Sequence, residues 1–317
     1  MKAERPLRII FMGTPAFAIP VLSALLDAGH DVTGVFTRPD KPAGRGKRPT
    51  EPPVKQYARD RGLPMFQPAS LTPHQVINDL ASLSSDLITV AAYGLFLPSG
   101  MLDLFPLGVL NVHPSLLPKY RGPSPVASAI LDGAPITGVT IMKIDEGMDS
   151  GPVIARREAP IERHENAEEL TARLFQIGAS LLVEVLPRWA QGQIHAQPQD
   201  ESQATATNRI SKEDGEINWG LSASLIARQV RAYQPWPGVF TRWRGGLLKI
   251  VESVAIDRES AEESRAGLVV ALRNGSVGIN CGYEVLEVRQ LQLEGRRAVG
   301  VREFVQGHPD FVESRLG

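Results

Sequence analysis

Leu7–Met12 is an unbroken apolar run, the pattern of a strand covered on both faces. Gly13-Thr14-Pro15 stops it, helical periodicity follows over Pro15–Ala28, Gly29 supplies a terminating cap, and Asp31–Thr37 is a second strand. A strand, a helix and a strand within about thirty residues call for parallel neighbours joined by a right-handed crossover. Leu87–Ala92 and Val109–His113 read as further buried strands, with Gly138–Ile144 and Pro152–Ala159 as two more. Asn166-Ala-Glu-Glu169 spells a capping box that opens a helix to about Trp189, with Leu170, Leu174, Ile177, Leu181 and Val185 on one face. The expectation for residues 1–190 is a doubly wound, mainly parallel α/β domain.

Residues 191–209 are polar and without core periodicity, which reads as a linker. Beyond them the texture changes to short alternating strands at Val239–Trp243, Lys249–Val254, Gly267–Leu272, Val277–Asn280 and Glu284–Leu291, preceded by a helix at Leu221–Ala232. Gly245-Gly246 and Asn274-Gly275 are hairpin signals. Residues 210–317 therefore predict a small OB-like β-barrel domain. A chain of 317 residues suits two such domains.

A net charge of −1 gives no global field to draw nucleic acid or membrane, so a polyanion must be met by a local patch. Arg38–Pro49, RPDKPAGRGKRP, is the one segment that offers it, with five basic residues and one acid broken by glycine and proline. It reads either as a solvated loop or as an arm that engages phosphates through Arg45, Lys47 and Arg48. The single cysteine, Cys281, sits in a strand context and reads as a small hydrophobe in a reducing compartment. No signal-peptide pattern and no membrane-length apolar run is evident, so a soluble, cytoplasmic protein is expected; a monomer is expected as well.

The first strand–helix turn, Gly13-Thr-Pro-Ala-Phe-Ala18, keeps only the first glycine of a dinucleotide fingerprint, which disfavours nicotinamide or flavin chemistry. The candidate chemistry lies instead at Asn111 and His113. They stand two apart at the end of an apolar strand, so both side chains face one way, and open α/β sheets place ligands at such strand ends. A buried amide in an apolar run is costly unless it is paired. Asp149, in the turn before Gly151, adds a carboxylate. An amide, an imidazole and a carboxylate suit acyl transfer without a metal or covalent intermediate, by steadying an oxyanion and moving a proton. His30, His74, His164, His195 and His308 are scattered and lack ligand spacing, so no metal is expected. Ser115 and Ser124 have no nucleophile-elbow context.

Asn111-Val-His113, Ser115-Leu-Leu-Pro118, Tyr120-Arg-Gly122, Thr137-Gly-Val-Thr140 and Asp149-Ser-Gly151 together resemble the formyltetrahydrofolate-dependent formyltransferases. The likeness runs the length of the chain, through FMGTPAFA, RPDKPAGRGK, AYGLFLP, ISKEDGEINW and PWPG in that order. Pro114 and Ser150 stand where glycine or alanine, and threonine, are common in relatives. The resemblance implies a Rossmann-like formyl-transfer domain with Asn111, His113 and Asp149 as its catalytic trio. It implies 10-formyltetrahydrofolate as donor, held by Ser115, Leu116, Leu117 and Pro118, with the pterin near Tyr93, Gly94, Leu95, Ile144 and Asp145. Within the family, the basic loop and C-terminal segment are similar to members that act on initiator methionyl-tRNA, with Arg45 as lead contact. Lys212, Arg228, Arg231, Arg242 and Lys249 are candidates for a basic face on the C-terminal domain. In such a reaction Asp149 either holds the imidazole or acts through water as base for the amine. A relative acting on a nucleotide-linked amino sugar would keep the trio but have no use for the basic loop. A non-catalytic folate- or RNA-binding protein would have no use for the intact trio.

Overall fold

A computed structural model of the protein describes residues 5–43, 48–256, 265–272 and 275–317. By internal contact the chain sorts into two units. One comprises Met1–Pro125, Ile136–Pro160 and Thr171–Thr207, and the other Val126–Pro135, Ile161–Leu170 and Asn208–Gly317. Residues 126–135 and 161–170 thus group with the C-terminal part, across the division at 190–210 expected from sequence. Ile161 N donates to Pro135 O at 3.0 Å, and Arg231 Nη1 donates to Glu165 O at 3.1 Å.

In the first unit the apolar runs become β1 (Arg8–Gly13), β2 (Asp31–Phe36), β3 (Lys41–Ala43), β4 (Arg48–Thr50), β5 (Met65–Phe66), β6 (Leu87–Ala91), β7 (Val109–His113), β8 (Ile136–Lys143) and β9 (Val153–Pro160). Seven of them form one sheet in the order β5-β2-β1-β6-β7-β8-β9, while among the described residues β3 and β4 pair with each other alone. The first five strands along that order run parallel. β8 alone is reversed, antiparallel to β7 on one side and to β9 on the other, so β9 returns to the common direction. Helices α1 (Ile19–Asp27), α2 (Pro53–Arg59), α3 (His74–Ser82) and α4 (Ser99–Leu102) lie in the connections, while α5 (Pro125–Leu131), between β7 and β8 in the chain, groups from Val126 on with the second unit.

Alternation along β1 divides the core between the two faces of the sheet. Ile9 and Phe11 join Val21, Leu22, Leu110, Val112 and Ile141 on one side. Ile10 and Met12 join Leu80, Ile88, Val90, Tyr93 and Val109 on the other. The first side is closed by α6 (Ala167–Ala190), through Phe175, Leu182 and Leu186. Its expected capping box is present: Glu169 N donates to Asn166 Oδ1, and Asn166 N to Glu169 Oε2, both at 3.0 Å. A Cβ on Gly178 would stand 2.5 Å from Val112 Cγ1, so glycine sets how closely the helix meets the sheet. By length and composition α6 is apolar enough to cross a membrane, contrary to the expectation of no such run, yet half of it is buried inside the protein.

The second unit contains α7 (Ala223–Ala232), capped by Ser222, whose Oγ accepts from Leu225 N at 3.2 Å. An antiparallel sheet follows: β10 (Val239–Trp243), β11 (Gly246–Ile256), β12 (Val269–Ala271), β13 (Val277–Asn280), β14 (Val285–Leu293) and β15 (Val299–Gly300), ordered β10-β11-β14-β13-β12 with β15 beside β14. The short helix α8 (Val301–Gly307) brings Phe304 onto Trp243, which also meets Phe311. The first hairpin turns one residue earlier than expected. Trp243 pairs with Gly246, and Arg244 and Gly245 carry φ of +50° and +74°. Two positive φ values are what a two-residue type I′ turn demands. Of the second signal, Asn274 lies outside the described residues, and Gly275 has φ +72°.

Cys281 is fully buried, and burial pushes its thiol up to about 12. A thiol reagent at pH 8 is expected to leave the native protein unlabelled and to label it stoichiometrically after denaturation. Rapid labelling of the folded protein would contradict this environment.

Candidate active site

β7 has a parallel neighbour on one side and an antiparallel one on the other. Leu110 and Val112 point into one core and Val109 into the other, so Asn111 and His113 share the face of Val109. Val90 and Met142 flank Asn111, and Thr140 sits beside His113. β8 ends at Lys143, opposite Leu110. The turn after it must therefore fold back over β7 to bring its carboxylate to the histidine, and it does.

Asn111 Nδ2 donates to Asp149 Oδ1 at 3.4 Å, and the same oxygen stands 3.6 Å from His113 Nδ1. Asp149 Oδ2 accepts from Gly122 N at 2.9 Å. The carboxylate is thus aimed from both ends. The other imidazole nitrogen, His113 Nε2, is 3.1 Å from Tyr120 O, an acceptor, which assigns a proton to Nε2 and leaves Nδ1 facing Asp149. His113 is buried, whereas the Asp149 side chain retains 19% exposure. The three residues read from sequence stand together.

The backbone that delivers Asp149 is unusual at two points. Asp149 has φ +52°, a left-handed conformation that non-glycine residues seldom adopt. A Cβ on Gly151 would lie 1.9 Å from Lys143 O, so only glycine lets the turn rejoin β9. Asp145 braces the same turn, accepting from Gly147 N at 3.1 Å and Ser150 Oγ at 2.9 Å.

Residues 197–207, inside the expected linker, are laid along this site instead. Gln197 bridges Val153. Gln199 Nε2 donates to Asp149 O at 2.8 Å and to Gly151 O at 2.7 Å. Its Oε1 accepts from Arg121 Nε at 3.1 Å and Nη2 at 2.9 Å, and Arg121 also pairs with Glu201. That carboxylate holds the Arg121 guanidinium above its ordinary range, and the Glu201 carboxyl is lowered by the same bond. Tyr120 N donates to Thr205 Oγ1, and Arg121 N to Thr205 O. Backbone groups need partners, and these residues supply them to the 120–122 loop, joined to it by an isolated parallel bridge between Arg121 and Ala206. Arg121 belongs to a motif noted from sequence, but Gln199, Thr205 and Thr207 were missed. Polar side chains pairing across fifty to eighty-six positions leave no periodic signal.

Ser115 and Leu117 point inward. Ser115 Oγ donates to Lys119 O at 2.7 Å, and Leu117 packs with Met142 and Val153. Thr140 clamps their loop, its Oγ1 donating to Ser115 O and accepting from Leu117 N. Leu116 and Pro118 are partly exposed. Tyr93, Leu95 and Ile144 belong to one apolar cluster, and Gly94 is exposed with φ +81°. Burial pushes the Tyr93 phenol up to about 12, offset in part by the charge of Arg38, and its hydroxyl has no hydrogen-bond partner among the described residues.

Arg45 and Lys47 lie outside the described residues, and Arg48 is in β4, paired with Ala43. The base of the basic segment is therefore a strand pair. It is pinned to α2 by Lys55, which bonds Asp40 at 2.8 Å and Glu51 at 3.3 Å, while Arg59 holds Glu51 at 2.6 Å. Lys55 keeps the Asp40 carboxyl below its usual range, and Arg59 does so for Glu51. Among the described residues no cluster of three histidine, cysteine or acidic side chains is gathered as metal ligands would be.

Two family models match: a formyl transferase domain over residues 7–186 and a formyl transferase C-terminal domain over residues 209–309. A methionyl-tRNA formyltransferase of Chloroflexus aggregans is 46% identical over 95% of this chain and 97% of its own length. One from Pseudoalteromonas translucida is 39% identical over 97% and 96%. Among solved structures, an N-formyltransferase from Helicobacter canadensis, in complex with folinic acid and dTDP-3-aminofucose, superposes with a TM-score of 0.63. It has 18% identity and covers 89% of this chain and 99% of its own. HypX from Aquifex aeolicus, in complex with tetrahydrofolic acid, gives 0.62 at 18% identity over 94% of this chain and 47% of its own. At that identity the likeness is one of fold.

Proposed function

The chain belongs to the formyl transferase family through both its N-terminal and C-terminal domains, and on that premise we propose that it formylates the α-amine of initiator methionyl-tRNA from 10-formyltetrahydrofolate. The observation that carries the chemistry is the meeting of Asn111, His113 and the Asp149 carboxylate on one face of β7. The observation that carries the acceptor is 39–46% identity, over nearly the whole chain, to relatives named for methionyl-tRNA. A sugar acceptor has only fold-level likeness behind it.

The donor supplies a formyl carbon on N10 that the amine attacks to give a tetrahedral oxyanion. Asn111 has two amide N–H groups. One is spent on Asp149, and the other serves the developing oxygen, a role in which one donor contributes about 10²–10³ in turnover. His113 exchanges its proton at Nδ1, beside the Asp149 carboxylate, taking it from the attacking amine and returning it to the departing nitrogen. Asp149 steadies the imidazolium and, through water, accepts the proton of an incoming ammonium.

The Tyr93–Leu95–Ile144 cluster offers an apolar wall for a pterin, and the unpartnered Tyr93 hydroxyl suits a polar heterocycle. Gly94 and Asp145 flank that wall. Ser115, Leu116, Leu117 and Pro118 shape the neighbouring loop. We assign residues 1–190 to formyl transfer and residues 210–317 to tRNA binding in a cytoplasmic monomer. Arg45, Lys47 and Arg48 are assigned to the acceptor arm. The deciding assay offers labelled formyl donor with methionyl-tRNA, uncharged tRNA or a dTDP-linked amino sugar. Label in the amino sugar but not in methionyl-tRNA would overturn the assignment.

A triple alanine variant at Arg45, Lys47 and Arg48 tests the basic segment apart from the chemistry. Each lost phosphate contact is expected to flatten the log–log salt dependence of tRNA affinity by about one unit. Folate affinity should stay unchanged, and stability should stay within about 0.5 kcal/mol. An unchanged salt slope with unchanged activity would remove the segment from tRNA recognition.

A further inference from the structure

We propose that Gln199 is a positioning residue for formyl transfer: it holds the backbone of the Asp149 turn, and through it the carboxylate, in register with His113 and Asn111. The proposal rests on the role given to Asp149 above. Its basis is one side-chain amide with every hydrogen-bonding position used. Both N–H groups of Gln199 are spent on carbonyls of the turn, Asp149 O at 2.8 Å and Gly151 O at 2.7 Å. Its carbonyl oxygen takes two bonds from Arg121. The residue is 9% exposed, so these bonds are made largely out of reach of water.

The turn needs such a clamp. Asp149 is held at φ +52°, which a free loop would relax, and its carboxylate stands 3.6 Å from His113 Nδ1, just beyond hydrogen-bond length, so a small shift of the turn would part them. Gln199 grips the turn on either side of Ser150, at the peptide that carries Asp149 and at the one that rejoins β9. Arg121 ties this grip to the opposite wall of the site. It is the neighbour of Tyr120, whose carbonyl meets His113 Nε2, and of Gly122, whose N–H meets Asp149 Oδ2. One glutamine thus joins the two loops that orient the histidine and the aspartate.

The test compares Gln199→Ala, Gln199→Glu and Glu201→Ala. Gln199→Glu has the same length and still accepts from Arg121, but it presents no N–H to the two carbonyls. It therefore carries the test if the alanine variant does not fold. Both Gln199 variants are expected to lower kcat by about 10–100-fold, the scale of a misplacement near 1 Å. KM for donor and for methionyl-tRNA should stay within about threefold. Glu201→Ala, which leaves every Gln199 bond in place, should keep wild-type turnover. The second readout is the His113 imidazole nitrogen resonance in ring-labelled protein, identified by its loss in His113→Asn. It should shift in both Gln199 variants while the other histidines stay put. That signal is read without substrate, so it decides the role of Gln199 even if methionyl-tRNA is not the acceptor. Wild-type kcat in the Gln199 variants, or an unmoved His113 resonance, would overturn the proposal.

Discussion

His113→Ala, Asn111→Ala and Asp149→Ala are each expected to lose at least about two orders of magnitude in single-turnover formyl transfer, the usual size for one acid–base or oxyanion group. The geometry explains why the three losses should not multiply. Asp149 Oδ1 is shared, receiving the Asn111 amide and facing His113 Nδ1. Removing the aspartate therefore disorients the other two, and a double variant loses little beyond the worse single one. Folate affinity should hardly move, because the apolar wall at Tyr93, Leu95 and Ile144 is untouched. The decisive comparison is single-turnover rate against donor Kd across the three variants. Near-wild-type turnover in any one would remove that residue from the reaction.

Gly151→Ala is expected to cost about 3 kcal/mol of stability, the upper range for forcing a methyl into packed structure. The new Cβ falls 1.9 Å from the carbonyl oxygen of Lys143, a backbone atom in the hairpin that carries Asp149. Neither partner is a flexible side-chain end, so β8 and β9 must part. Lys143 N also donates to Pro152 O at 2.9 Å, and that bond would be strained with them. Gly94→Ala provides the contrast. Gly94 has φ +81° with nothing within 4 Å of a new Cβ, so only the conformational cost of about 1–2 kcal/mol applies. Urea denaturation of the two variants separates steric from conformational loss. Equal destabilisation would show that the turn yields more easily than its packing implies. Turnover should fall in Gly151→Ala, because the parted hairpin no longer holds the Asp149 carboxylate against His113.

Much of this was legible before any coordinates. The continuous apolar runs at β1, β6 and β7 required burial on both faces, and the β-α-β spacing required a parallel sheet. Val109–His113 matched the strand to the residue, because Asn111 and His113 end an otherwise apolar segment. The reversal at β8 was not visible, since an apolar strand reads alike in either direction. Neither was the attachment of residues 197–207, whose glutamines and threonines have the composition of a linker. Their meaning lies in backbone groups at Tyr120, Arg121 and Asp149, which sequence does not mark as needing partners. The pairing of β3 with β4 was hidden by Pro42 and Pro49, tolerated there because neither strand has a second neighbour among the described residues.

The separation of Gln199 from Asp149 by fifty positions also sets an order of events during synthesis. At 5–20 residues per second, the ribosome adds that stretch in roughly 3–10 s. The emerging chain therefore carries Asn111, His113 and Asp149 for seconds before the residues that fix the aspartate turn exist. Through that interval the nascent protein carries the proposed trio without the side chain proposed to align it, and the bonds of Gln199 to the turn form only once the 197–207 segment leaves the exit tunnel.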